Sequence, residues 1–269
     1  MYYVGNFAEC WLANGGPSLM KGEKPWAERK DALVSAMKAC NLGIPTFFTL
    51  QEVFVNQLND IKYGLNGDEY SYPWTHFGTG RDDGANTGEF SPIIYNAEDW
   101  NLQSGTQKWL SLTPDIPSAH PSTTYKRIVT ICTFIHKQTG AGINVLNTHY
   151  DHKSNEARNY GSDLIVKYVD ELGNGYPTVV AGDINSKRTG SSYMILATAL
   201  DDTSNIASTK INENMCTVSG FSGAEGDTID FIFASRGNIL ASKHEIMENL
   251  MDDGFRFSDH RPVIADITI

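Results

Sequence analysis

The sequence predicts an α/β fold in which β-sheets are covered by outer helices. Three observations carry this. Short apolar runs bounded by turn residues recur along all 269 residues, as strands require. Amphipathic helical patterns interleave with those runs. No Pro- or Ser-rich linker, internal repeat or low-complexity tract interrupts the order, so residues 1–269 read as a single domain.

Met1–Gly5 shows no basic and apolar leader and reads as a first strand. Trp26–Cys40 reads as a helix because Leu33, Ala36, Met37 and Cys40 share one face. Thr46–Leu50 is the next strand, and Phe54–Leu65 a candidate helix. Further strands are predicted at Phe90–Tyr95, Ile128–His136, Ile143–Thr148 and Thr178–Ala181. Between the last two lies a helix over Glu156–Leu172, with Ala157, Gly161, Leu164, Ile165, Tyr168 and Leu172 on one face. A helix over Ser191–Leu200 and strands at Thr228–Ala234 and Pro262–Thr268 complete the pattern.

Composition narrows the function classes. Hydrophobic residues make up 41% and charged residues 20% of the chain, the balance of a soluble globular protein. The longest apolar runs, Ile44–Leu50 and Ile128–Ile135, are too short to cross a bilayer, so no membrane span is expected. Compartment stays open between cytoplasm and exterior, and a monomer is expected. A net charge of −11 opposes tight non-specific binding to a polyanion, which rests on Lys and Arg neutralising phosphates. Local cations, including Arg81, Arg127 and Lys187, can still attract a single phosphate. Cys10, Cys40, Cys132 and Cys216 show no zinc spacing; Cys132, inside an apolar run, and Cys40, on a helical stripe, read as buried free thiols, and the redox compartment stays open.

Chemistry gathers at the strand ends, where α/β scaffolds present binding loops. FFTL runs into Gln51-Glu52, GINVLNT into His149, and TVVAG into Asp183-Ile184-Asn185; Asp230 lies in TIDFIF, and Ser258-Asp259-His260 precedes the last strand. One acidic strand end is usually a solvated turn, but five in one chain point to a site. Asp183 and Asn185, two apart, share a face in extended backbone and can hold one water between them. Alone, GDIN is more often an Asx turn. Asp151 and His152 read equally well as site lining or as the cap of the following helix.

In TLQEV (49–53), GRDDG (80–84), GEFSPIIY (88–95), NTHYDH (147–152), GDIN (182–185), TIDFIF (228–233) and SDHRPV (258–263), the chain resembles the endonuclease/exonuclease/phosphatase superfamily, the DNase I-like group. It is most similar to a compact microbial and fungal branch. The resemblance implies a four-layer α/β sandwich: two packed, mainly antiparallel β-sheets flanked by helices. It implies a hydrolase of phosphate esters that uses Mg²⁺, or Mn²⁺, to assist in-line attack of water on phosphorus. It makes Glu52 the principal metal ligand with Asp259 nearby. For the first-strand Asn that such proteins carry, this chain offers Asn6, with Trp11 standing where another register would place it. It assigns Asp183 and Asn185 to the attacking water and the phosphate, and His260, oriented by Asp230, to phosphate contact or base catalysis. His149 paired with Glu89 serves the leaving oxygen or the transition state. Arg127 contacts phosphate, and Arg81 lies on a rim facing substrate.

These residue types suit that chemistry on their own terms. Carboxylate and amide oxygens are the hard donors that Mg²⁺ takes, and a carboxylate beside imidazole fixes its tautomer and favours its charged form. Substrate ranges from nucleic acid, the endonuclease alternative, to lipid headgroups and small phosphate esters. A catalytically inactive binding module of the same fold is the competing class, and retention of the ligand residues argues against it.

Overall fold

Alternation along the buried strands sends side chains in two directions, and the molecule answers with a core on each side of both sheets. In the computed structural model, residues 2–8, 20–41, 43–67 and 73–269 are described, residues 2–8 by backbone alone. The elements in chain order are β1 (Tyr2–Ala8), α1 (Trp26–Cys40), β2 (Thr46–Gln51), α2 (Val55–Asn66), β3 (Trp74–Phe77), β4 (Ile93–Asn96), β5 (Trp100–Trp109), β6 (Ile128–His136) and β7 (Gly142–His149). There follow α3 (Asn155–Leu172), β8 (Thr178–Asp183), α4 (Ser191–Ala199), β9 (Leu200–Asp202), α5 (Thr203–Ile206), β10 (Thr209–Ile211), β11 (Asp230–Ser235), β12 (Leu240–Ile246) and β13 (Val263–Thr268).

One sheet runs β10-β12-β13-β1-β2-β4-β3 and the other β5-β6-β7-β8-β11-β9. Most pairings are antiparallel; β1–β2, β7–β8 and β10–β12 are parallel. Phe47, Ile93, Phe134, Val145, Val179 and Ile232 fill the space between the sheets. Their chain neighbours Phe48 and Ile94 turn outward onto Leu33, Met37, Leu58 and Ile61 of α1 and α2. On the far side, Leu146 and Val180 pack against Leu164 and Ile165 of α3 and Leu196 of α4. This is the four-layer sandwich, with Cys40 and Cys132 as buried free thiols and Cys216 free and half-buried. Cys10 lies outside the described residues. No helix among the described residues is long and apolar enough to cross a membrane.

Local chemistry sets the element ends. The Ser154 hydroxyl accepts the Ala157 N–H at 3.1 Å to start α3, and Gly173, at φ 52°, closes it in a left-handed turn. The strand expected from Phe90 begins only at Ile93, because Pro92 has no N–H to give a ladder and its carbonyl is taken by Leu50 N and the Asn147 amide. The exposed edge strand β5, the short β3, β9 and β10, and the seven-residue β12 add to the expected set.

Candidate active site

The register of the second sheet lines up three functional positions. His149, the last residue of β7, sits opposite Asp183 at the end of β8, and Asp183 sits opposite Asp230 at the start of β11. The strands approach closely because Gly182 precedes Asp183: a Cβ there would lie 2.1 Å from the Thr148 carbonyl oxygen. In the first sheet, Glu52 follows β2 and Asp259-His260 precede β13, so both arrive at the same end of the molecule. Two amides clip the sheets together there. Asn147, fully buried, donates to the carbonyls of Leu50 and Pro92 at 2.7 and 2.8 Å and accepts from Gln51 Nε2 at 2.6 Å.

Two groups of ligand-type side chains result, Glu52-Glu89-His149 and Asp183-Asp230-His260. His149 joins them, its Nε2 lying 3.5 Å from Glu52 Oε1 and 3.7 Å from Asp183 Oδ2. Burial, then the charges of Glu89, Asp259 and Asp183, hold the Glu52 carboxyl well above its ordinary pKa, although His260 opposes them. Asp183 is pushed up to about 7 by burial and by Asp230. At His260 burial disfavours the charged ring, but Asp230, at 2.9 Å from Nδ1, together with Asp259 and Asp183 outweighs it and holds the pKa well above the ordinary value. The Asp230 carboxylate thus favours the charged form of the His260 ring.

His149 is the opposite case. Arg127 Nη1 lies 2.9 Å from its Nδ1, and since a guanidinium can only donate, Nδ1 must accept and the proton sits on Nε2. Burial and then Arg127 and Arg81 hold its pKa well below the ordinary value, so the ring is a neutral Nε2–H donor. Its hydrogen-bond partner is thus Arg127; Glu89 Oε2 stands 3.7 Å away and is taken at 2.6 Å by Arg81. Arg127 also reaches His152 Nδ1 at 3.2 Å. Asn185 donates its side-chain amide to the Tyr150 carbonyl at 3.0 Å and its backbone N–H to Asp183 Oδ1 at 2.7 Å, which braces the carboxylate.

Arg81 is buried beneath the rim, and with Glu52, Glu89, Tyr125, Arg127 and His152 it lines a cavity of about 230 Å³. Lys187 is drawn off by Asp227 at 2.8 Å. Asn6 lies in β1 between Thr49 and Val263, with its side chain outside the described residues, as is Trp11. Sequence reasoning gave no role to Tyr125, Gln51, Asn147 or Asn249. The last holds the Ser258-Asp259-His260 turn by donating to the carbonyls of Ser258 and His260 at 2.6 and 2.9 Å. The signal available for it was slight: a lone Asn nine residues before Ser258.

The site fits a hard divalent cation. Carboxylates from both sheets converge there and raise the pKa of Glu52 and Asp183 despite the nearby cations, Asp230 Oδ1 is buried without a partner, and none of the cysteines described belongs to either group. Oxygen donors of this kind match Mg²⁺ or Mn²⁺.

Comparison with known proteins gives a consistent picture. The model of the Endonuclease/Exonuclease/phosphatase family matches residues 11–260. No curated protein matches the chain. Among solved structures, the mannosyl-6-phosphatase of Bacteroides thetaiotaomicron is similar at 26% identity over 100% of both chains, with a TM-score of 0.88. A second endonuclease/exonuclease/phosphatase family protein of that organism matches at 26% identity, 98% of this chain and 96% of its own, TM-score 0.87. The human nocturnin catalytic domain with bound sulfate shares the fold at 15% identity, 99% and 93% coverage, TM-score 0.69.

Proposed function

This chain belongs to the Endonuclease/Exonuclease/phosphatase family, and we propose that it is a divalent-metal-dependent hydrolase of small phosphate esters. The observation that carries the reading is His149 standing between the two ligand groups, an arrangement that would let cation, phosphate and attacking water share one space.

Glu52 and Asp259, with Asn6 on the first strand, would hold Mg²⁺ or Mn²⁺, which when bound supplies positive charge to the phosphoryl oxygens. Asp183, with its pKa near 7, takes the proton of the attacking water while Asn185 braces it. The imidazolium of His260, held by Asp230, donates from Nε2 to a phosphoryl or leaving oxygen. The neutral His149 donates a second hydrogen bond from Nε2, and Arg127 fixes that tautomer and adds charge behind it. Glu89 keeps Arg81 and Arg127 in place.

The acidic chain and the small cavity favour a compact ester over long duplex DNA, and the similar structure of a mannosyl-6-phosphatase adds support. The test is hydrolysis of a panel of sugar phosphates, nucleotides, phosphodiesters and single-stranded nucleic acid with and without added Mg²⁺ or Mn²⁺. Turnover of small esters that vanishes with chelator and returns with metal is expected. Full activity after exhaustive chelation and buffer exchange would sink the mechanism.

A further inference from the structure

The cavity beside the reaction centre has a charged floor and a neutral lip. Glu52, Arg81, Glu89 and Arg127 form the floor; Tyr125 and His152 form the lip, the first half-buried and the second exposed. Their rings lie 4.9 Å apart, tilted by 58°. One buried carboxylate holds both. Asp151 Oδ2 accepts the Thr123 hydroxyl at 2.6 Å, Thr123 Oγ1 in turn receives the Tyr125 N–H at 3.2 Å, and Asp151 Oδ1 accepts the N–H groups of Lys153 and Ser154, which follow His152 directly, so that the carboxylate closes a tight turn around it. Of the two residues read equally well as helix cap or site lining, neither caps the helix, which Ser154 does; His152 lines the cavity and Asp151 braces the turn that carries it.

We propose that Tyr125 and His152 form a leaving-group subsite for a neutral, hydroxyl-rich group of about one sugar ring, and that this subsite selects the ester. The inference rests on the phosphoesterase reading above. Three features carry it. The floor cations are already committed, Arg81 to Glu89 and Arg127 to two imidazoles, so the cavity offers one phosphate position rather than two. The His152 ring accepts from Arg127 at Nδ1, which leaves Nε2–H as a neutral donor suited to a hydroxyl. The Tyr125 ring supplies an apolar face against which the C–H face of a sugar ring packs. At about 230 Å³ the cavity is smaller than the pockets of about 300–1,000 Å³ that take drug-sized ligands.

The experiment compares kcat/KM for a hexose 6-phosphate, a nucleoside 5′-monophosphate and methyl phosphate in the Mg²⁺- or Mn²⁺-supplemented wild type, Tyr125→Ala, Tyr125→Phe and His152→Ala, with thermal melts to confirm folding. The preference for the hexose ester over methyl phosphate is expected to fall about 10–100-fold in Tyr125→Ala and about 10-fold in His152→Ala, mainly through KM, with Tyr125→Phe close to wild type. An unchanged preference in both alanine variants, an equal loss on both esters, or a nucleotide that is preferred and loses most in Tyr125→Ala would each overturn the proposal. Calorimetric titration of hexose 6-phosphate separates this from failure of the wider reading. If the wild type hydrolyses no phosphate ester, the phosphoesterase reading fails, while binding that Tyr125→Ala weakens still supports the subsite and absence of binding to wild type rejects it.

Discussion

Glu52 and Asn185 hold backbone angles that side chains resist, at φ 60° and 47°, and with Asn212 they are the non-glycine residues of positive φ among those described. Asn tolerates the left-handed region; Glu does so poorly, and such strain collects at functional sites. In Glu52 the turn aims a carboxylate back across the sheet end, toward His149. Glu52→Gln is expected to act through cation affinity, so raised Mg²⁺ restores much of its turnover. His260→Ala is expected to lose about 10²–10⁴-fold with no such rescue. Equal rescue of both by metal would show that the two roles are not distinct. The pH profile reads the same division. Asp183, near 7, works deprotonated, and His260, raised, works protonated, so kcat/KM should rise as pH climbs through the Asp183 value and fall only well above the ordinary histidine range. Asp183→Asn should remove the rising limb along with most of the rate. His149, as a neutral donor, should be replaced better by Gln than by Ala, and a His149→Gln variant as inactive as His149→Ala would argue against the tautomer assigned by Arg127.

At the scale of elements, what could be read in the sequence follows from how each part is stabilised. Strands buried on both faces announce themselves as apolar runs, and β6, β7 and β8 do so. The functional residues follow those runs directly, which is why Glu52, His149 and Asp183 were legible as polar ends of apolar strands. The Trp100–Trp109 strand has no such pattern, because an edge strand exposed over most of its length needs no apolar alternation. Arg81 was expected on a rim and is buried, since its partner Glu89 lies across a turn that no periodicity describes. The amide clips were illegible for another reason: Asn147 finds its Leu50 partner 97 residues away. The turn carrying Asp259 and His260 depends in the same way on Asn249, whose Nδ2 also lies 2.8 Å from Ser219 Oγ. Asn249→Ala removes the buried donor these groups share, so a stability loss of about 1–3 kcal/mol is expected in urea melts. It should also lower kcat about 10-fold or more by loosening His260, with KM little changed. A variant that melts early yet keeps full kcat would reduce Asn249 to a purely structural clamp.

At the scale of the molecule, charge decides which phosphates can be reached. The net charge is −11, so the long-range field repels a polyanion, and attraction must come from the few cations at the site. Those cations are already shared out: Arg81 with Glu89, Lys187 with Asp227, Arg188 with Asp202 at 3.2 Å, Arg256 with Glu248. A duplex binder needs a stripe of free Lys and Arg, because each phosphate it neutralises releases counterions and makes binding fall steeply with salt. The stretch from Phe54 to Trp74 after the β2 end carries one Lys against two Asp and one Glu, so it offers no basic arm for a groove. Nicking of plasmid DNA is therefore expected to be slow at about 20 mM salt and negligible near 150 mM, at enzyme concentrations where hexose 6-phosphate turnover is easily measured and nearly independent of salt. A single phosphate on a small neutral group pays little for the global charge, since the Debye length of about 8 Å at physiological salt screens distant carboxylates while His260 acts at contact and Arg127 from just behind His149. Efficient nicking that persists at physiological salt, with negligible turnover of the small ester, would reverse this preference and make the molecule an endonuclease.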